Sequence, residues 1–165
     1  MRTLAKTTLI AAAMSFATAG VALADPAAIN VTISPDFAED AAKLGEKEVN
    51  DQVADLTRQV ERTLTSRNAL DGAVIDLVIT DLQPNRPTMN QLSERPSLDP
   101  IRSLSIGGAA VEGSVTLSDG TKHDVKFKYY TPTIRDAVGA STWSDANRAY
   151  MRLSRNLADG RYVTR

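Results

Sequence analysis

Residues 101–130 read IRSLSIGGAAVEGSVTLSDGTKHDVKFKYY, the most regular alternation in the chain. Before the turn at Ser118-Asp119-Gly120-Thr121, Val111, Gly113, Val115 and Leu117 alternate with Glu112, Ser114 and Thr116. After it Val125, Phe127 and Tyr129 alternate with Lys126 and Lys128. A period of two on both arms predicts a long β-hairpin with one face in a core and the other in water. A two-residue Asp-Gly turn sets Leu117 opposite Lys122 and Val115 opposite Asp124, apolar beside charged. A loop one residue longer, or a bulge, pairs Val115 with Val125 and Glu112 with Lys128, and this is the expected register. Leu104 and Ile106 begin the alternation on even positions, whereas the set from Val111 onward is odd. A bulge or bend across Gly107-Gly108-Ala109-Ala110 is therefore expected.

Upstream, Ile29, Val31 and Ile33 alternate with Asn30, Thr32 and Ser34, a half-buried strand. Ser34-Pro35-Asp36 then opens a helix: serine suits the cap, proline the first turn, and Asp36 and Glu39 the positive end of the dipole. The helix is expected to run to about Arg67, burying Ala38, Ala42, Gly45, Val49, Val53, Leu56, Val60 and Leu64. Asn68 to Gly72 is a turn. Ala73 to Gln83 follows as the most β-like run, with Ala73, Ile75, Leu77 and Ile79 on one side and Val74 and Val78 on the other. Apolar residues on both faces suit an interior strand. Pro84 to Pro100 holds four prolines and no clear period, and reads as an irregular connection. After the hairpin, residues 131–140 form a loop. A second helix runs from about Thr142 to Asp159, with Thr142 and Asp145 resembling a capping box and Gly160 as the stop. Trp143, Ala146, Tyr150, Leu153 and Leu157 form its buried stripe.

The element order is thus β-α-β-β-β-α. A right-handed crossover makes the first two strands parallel, and the hairpin extends the sheet antiparallel. The expected fold is α+β, a two-layer α/β sandwich with a four-stranded mixed sheet and two helices on one face. This order resembles that of several small bacterial envelope domains, the amino-terminal domain of TolB among them. The likeness lies in element order and implies a fold, not a function.

At 165 residues the chain is long enough for one core and short for two. Residues 1–24 stand apart from that core. Arg2 and Lys6 form a basic start, Leu9 to Ala19 an apolar middle, and Ala22-Leu23-Ala24 a small-x-small cleavage site. The middle is shorter than the ~20 residues of a spanning helix and is interrupted by Ser15 and Thr18. Residues 1–24 are read as a cleaved secretory signal peptide and 25–165 as a single exported domain, placed in the periplasm or outside the cell. Removing Arg2 and Lys6 from the 19 basic residues leaves 17 against 20 acidic ones, a net charge of −3. That balance argues against nucleic acid as a bulk partner. There is no cysteine, so neither a disulfide framework nor a cysteine-linked lipid anchor is expected, and no membrane span remains after cleavage.

Residues able to do chemistry are scattered. His123 is the only histidine, with no second ligand marked beside it. No serine lies in a G-x-S-x-G or S-x-x-K frame. Asp76 with Asp81, or Asp99 with Glu94, are the candidate carboxylate pairs, at spacings that fit no glycosidase or aspartyl frame. No cofactor or metal is implied. Two features stand above this background. Arg148, Arg152 and Arg155 are spaced four and three on the last helix, opposite the Trp143 stripe, and suit an acidic partner, a carboxylate or a phosphate. Asp145 and Asp159 are expected to support Arg148 and Arg155, leaving Arg152 without an acid. The proline-rich connection, with Arg95, Leu98 and Arg102, is the second candidate binding surface.

The expected function is a non-enzymatic exported module that binds an acidic envelope protein or an anionic ligand through the arginine face, the connection, or both. Two alternatives stay open. One is a small secreted hydrolase using paired carboxylates. The other is a domain holding a small ligand between helices and sheet, with Tyr129, Tyr130 and Tyr150 contributing.

Overall fold

The computed structural model describes residues 25–164; the expected signal peptide, residues 1–24, lies outside the described residues. Four strands, β1 (Ala28–Ile33), β2 (Val74–Gln83), β3 (Gly108–Thr116) and β4 (Lys122–Tyr130), form one sheet in the order β1-β2-β3-β4. β1 and β2 are parallel and the other neighbours antiparallel. The two long helices, α2 (Glu46–Arg67) and α4 (Ser144–Ala158), pack on each other and on the sheet, α2 over β1 and α4 over β3 and β4. Two shorter helices, α1 (Ala38–Leu44) and α3 (Met89–Glu94), touch each other beside this body. The fold is therefore the expected α+β, a mixed sheet covered by helices.

The period-two reading of the strands places the core correctly. Ile75, Leu77, Ile79, Val111, Val115, Val125 and Phe127 are buried under Leu56, Val60 and Leu64 of α2 and Ala146, Tyr150, Leu153 and Leu157 of α4. Each large aliphatic contributes roughly 1.5–3 kcal/mol relative to exposure, so reversing any strand's faces would outweigh every surface ion pair in the molecule. Trp143 is only half-buried, because its indole N–H reaches outward to Glu48, 2.7 Å away.

The hairpin register differs from expectation by two residues. Val115 lies opposite His123 and Gly113 opposite Val125, and Glu112 meets Lys126 rather than Lys128, at 2.8 Å. The loop does have three residues, Ser118-Asp119-Gly120, closed by Leu117 N–H to Thr121 O (2.8 Å) and Gly120 N–H to Leu117 O (2.9 Å). A three-residue hairpin loop needs its third residue in the left-handed region, where Gly120 sits with φ 86°. The expected register would have put Thr121 there, a β-branched residue at a positive φ. The turn residue thus decided what the face pattern could not, since a two-residue shift leaves the faces unchanged.

The extra residue of the sheet also lies elsewhere. β3 begins at Gly108, so Leu104 and Ile106 precede the hairpin, and the register shift falls at Thr80 of β2 instead of at Gly107 to Ala110. The bulge turns Asp81 to the open face and Leu82 into the core. On that open face the Tyr130 hydroxyl donates to Asp81 at 2.5 Å across Gly108. A Cβ on Gly108 would come within 2.6 Å of the Tyr130 ring. Burial, reinforced by the Asp81 carboxylate, pushes the Tyr130 phenol well above its ordinary range.

The first helix is broken at Gly45, whose φ of 101° leaves the helical region. Before the break Phe37, Ala41 and Leu44 are buried and Ala38 and Ala42 exposed, one position away from the expected stripe. Ser34 caps with its backbone carbonyl, accepting from Phe37 N–H at 3.0 Å, while its side chain makes no cap bond. Thr142 makes no capping box either. Asp145, its expected partner, turns inward to Asn85. The capping box is instead on α3, where Thr88 and Gln91 bond each other's backbone N–H, giving helical order inside the connection expected to be irregular.

The last described residues add to the edge of the sheet at β4. Lys126 N–H donates to Tyr162 O and Thr164 N–H to Lys126 O, each at 2.9 Å, so Tyr162–Thr164 run parallel along β4.

Candidate functional site

The buried stripe of α4 leaves Arg148, Arg152 and Arg155 exposed on the opposite surface, beside β4. Arg148 donates to Asp145 at 3.1 Å and reaches the Tyr129 hydroxyl at 3.5 Å. Asp145 is 1% exposed, and it also accepts from the Asn85 amide at 2.5 Å. Arg148 is therefore tied into the fold, as expected of its acid at i−3.

Arg152 and Arg155 are different. Arg152 lies 4.1 Å over the Tyr129 ring, a cation–π contact, and its N–H groups make no hydrogen bond among the described residues. Arg155 makes no ion pair among the described residues, which corrects the expected pairing with Asp159. That carboxylate is held instead by Arg67, 92 residues away, and by Arg161, each at 2.7 Å. It is bracketed by two guanidiniums, one on each oxygen.

These groups surround an open groove of about 550 Å³ between the end of α4, β4 and the last described residues. Its lining carries four arginines, Arg67, Arg152, Arg155 and Arg161, and one carboxylate, Asp159; Lys128 borders it on β4, its side chain on the open face of the sheet with Lys126. Arg148 is outside it. Two of these four arginines, Arg152 and Arg155, are among the residues the sequence singles out. Arg67 is the basic end of α2 and Arg161 follows the Gly160 stop, but only packing brings helix ends so distant in sequence to one hollow. Chemically, the groove suits oxyanions, because several guanidiniums can offer paired N–H donors to carboxylate, phosphate or sulfate oxygens.

The second candidate surface is not assembled in the same way. Arg95 and Leu98 line a smaller hollow of about 330 Å³ with Gln91, Leu104 and Ile106, while Arg102 lies outside it and exposed. The connection is tightly held. Asn85 is fully buried; its backbone N–H donates to Thr142 O at 2.8 Å and its carbonyl accepts from Ser105 N–H at 2.9 Å. The Arg86 side chain bridges the carbonyls of Ala140 and Ile101. Asp99 accepts from the backbone N–H of Arg102 and Ile101, each at 2.7 Å, and these bonds hold its carboxyl below the usual carboxylate range. Leu92 and Leu98 are half-buried, and Met89 and Ile101 stand exposed.

The carboxylate pairs do not converge. Asp76 accepts from Asn30 and Asp81 from Tyr130, and the four strand residues between them hold them roughly 15 Å apart, beyond the 5–9.5 Å of glycosidase pairs. Glu94 accepts from Asn90 while Asp99 caps its own turn. His123 stacks on Tyr162, ring centres 4.7 Å apart. Tyr150 is buried in the helix–sheet interface, Tyr130 is bonded to Asp81, and Tyr129 alone of the three candidate tyrosines reaches the groove.

No family model, no curated protein and no solved structure matches the chain.

Proposed function

We propose that this chain is a non-enzymatic exported protein of the cell envelope, whose basic groove between α4 and β4 binds an acidic partner or an anionic ligand. The observation that carries this reading is the charge of the groove, four arginines against one carboxylate, in a chain whose net charge is −1. Gathering like charges in one hollow of an acidic protein costs electrostatic energy and is not required to bury the α4 stripe. Such a field steers and orients an oppositely charged group. Arginine's preponderance over lysine favours planar oxyanions, which accept paired hydrogen bonds. The export half rests on residues 1–24, with their basic start, apolar middle and Ala22-Leu23-Ala24.

Each half has its own test. Amino-terminal sequencing of protein from the native host is expected to begin at Asp25; an abundant form beginning at Met1 would remove export. For the groove, the mature chain and an Arg152→Glu/Arg155→Glu variant are used to capture partners from envelope extract, with thermal melts run in parallel. Capture by the wild type alone, with near-equal melting temperatures, supports the reading. Equal capture by both excludes the groove.

A further inference from the structure

β1 is an outer strand of the sheet, with β2 as its neighbour on one side. In this parallel pairing the even residues face β2: Ala28 N–H donates to Ala73 O at 3.4 Å and Ser34 N–H to Ile79 O at 2.9 Å. The N–H and C=O of Ile29, Val31 and Ile33 therefore point away from the sheet, and nothing among the described residues bonds them. Upstream, Asp25 O accepts from Gly72 N–H at 3.0 Å and Ala27 N–H donates to Ala73 O at 2.8 Å. A mature chain beginning at Asp25 thus has no earlier residue with which to cover the edge. Downstream, Thr164 lies against β4, three strand spacings or roughly 14 Å across the sheet, beyond the reach of the one residue that follows it. α1 sits past the end of β1, where Asp40 and Leu44 line one hollow with Leu82 and Pro84.

Sheet edges are ordinarily protected by lysine, proline, a bulge or a covering segment. β4 has Lys122, Lys126 and Lys128 and is partly covered by Tyr162–Thr164. β1, Ala28-Ile29-Asn30-Val31-Thr32-Ile33, has no charge and no proline, and its register with β2 runs without a shift. On the helix side Ile29, Val31 and Ile33 are half-buried while Ile75, Leu77 and Ile79 beside them are buried, because the sheet continues on one side of β1 only. On α2, Thr63 turns to α4 and bonds Ser154 at 3.1 Å. Helical spacing puts Val53 and Thr57, both half-buried and uncharged, on the other flank, above the outer side of β1.

We propose that β1 pairs with β1 of a second copy of this chain, antiparallel about a two-fold axis at Val31, joining two sheets into one. This goes beyond the groove and rests only on the mature chain beginning at Asp25. The axis sets Val31 against its own counterpart and Ile29 against Ile33 of the other copy, each pair exchanging two hydrogen bonds, so every outward group of the strand is used. The same register sets Asn30 against Thr32, both polar, on the open side. A charge near such an axis would meet its own like charge, and β1 has none. The two α2 helices come together antiparallel, and Val53 and Thr57 are small enough for an approach of about 8–10 Å. β1 is six residues long, roughly 20 Å, and with the helix above it the strip is about as deep. Two copies then bury on the order of 1,000 Å², the lower limit of a specific interface.

The test is sedimentation equilibrium of the 25–165 chain, with thermal melts of every variant. At about 50 μM the wild type is expected to show twice the mass of one chain. Asn30→Lys/Thr32→Lys sets lysine against lysine across the axis and is expected to weaken association by about tenfold or more. Asn30→Lys/Thr32→Glu sets opposite charges there and is expected to keep the wild-type mass at low salt. Both positions are exposed, so the melts of the variants are expected to stay close to the wild type. Amide exchange reads the backbone: the N–H groups of Ile29, Val31 and Ile33 are expected to be protected in the wild type and fast in the double-lysine variant, while those of Asn30 and Thr32, facing β2, stay protected in both. A wild type of single-chain mass overturns the pairing and leaves β1 to a strand of another protein. Equal dissociation by the two variants, or an undiminished mass in the double-lysine variant, overturns it as well. Arg152→Glu/Arg155→Glu is expected to leave the mass unchanged, so the pairing and the groove fail separately.

Discussion

Arg86 and Arg152 both lie at the margin of the sheet, yet the fold treats them in opposite ways. Arg86 is enclosed by the connection between β2 and β3 and donates to the carbonyls of Ala140 and Ile101, beside an Asn85 with no exposed surface. Its donors hold two loops together. Among the described residues Arg152 has the Tyr129 ring beneath it, and Arg155, one turn on, makes no ion pair. The loop-rich end thus spends Asn85, Arg86 and Asp99 on holding itself together, although Arg95 and Arg102 make no side-chain bond among the described residues, while on the regular helix face Arg152 and Arg155 keep their donors unused. Proline content and loop length point to the first region as a binding surface; hydrogen-bond satisfaction points to the second.

The contrast is tested most severely at Asn85. Replacing it with leucine removes the amide that faces the buried Asp145 carboxylate and is expected to cost about 3 kcal/mol in urea denaturation, because a buried charge loses a partner. A cost below about 1 kcal/mol would mean that this end is not held by its polar network. Next comes Arg86→Met, which keeps the aliphatic stem and removes the donors to two carbonyls. About 1–2 kcal/mol is expected by the same measurement, and a neutral result would erase the difference from Arg152.

A smaller and more local effect is expected at Asp99. Its carboxyl has a depressed pKa in the folded protein because it accepts from the Arg102 and Ile101 N–H groups. Its contribution is therefore complete above the ordinary carboxylate value of about 3.9 and is lost as pH falls through the lower folded value. Amide exchange at Ile101 and Arg102, compared with wild-type loops elsewhere, is expected to accelerate over that acidic window. Asp99→Asn, which has no carboxyl to protonate, is expected to show no such step.

The smallest stability change belongs to the groove. Arg152→Gln and Arg155→Gln are each expected to shift unfolding free energy by about 0.5 kcal/mol or less, since an exposed cation–π contact and a solvated guanidinium add little. A loss as large as that of Asn85→Leu would show these arginines to be structural and would collapse the comparison.

Much of the fold was legible in the sequence because its evidence is local. Alternation in Ile75-Leu77-Ile79 and Val111-Val115 assigns faces, helical spacing of Tyr150, Leu153 and Leu157 assigns the α4 stripe, and β-α-β followed by a hairpin admits few topologies. The α3 capping box, Thr88-x-x-Gln91, was equally local and was obscured by the prolines around it. Gly45 and Gly120 were visible as glycines. Their consequences, a broken helix and a hairpin shifted by two residues, depended on which backbone region each would enter.

What tertiary structure alone decided was which charges remain available. Asp159 lies four residues after Arg155, the spacing of a helical ion pair, yet the fold delivers Arg67 and Arg161 to it instead. Tyr129 comes under Arg152 only because β4 packs beneath α4. The period of a segment determines what it buries, since burial is one-sided and repeats along the chain. The partner of a surface charge is set by distances between segments far apart in sequence, which no local period encodes.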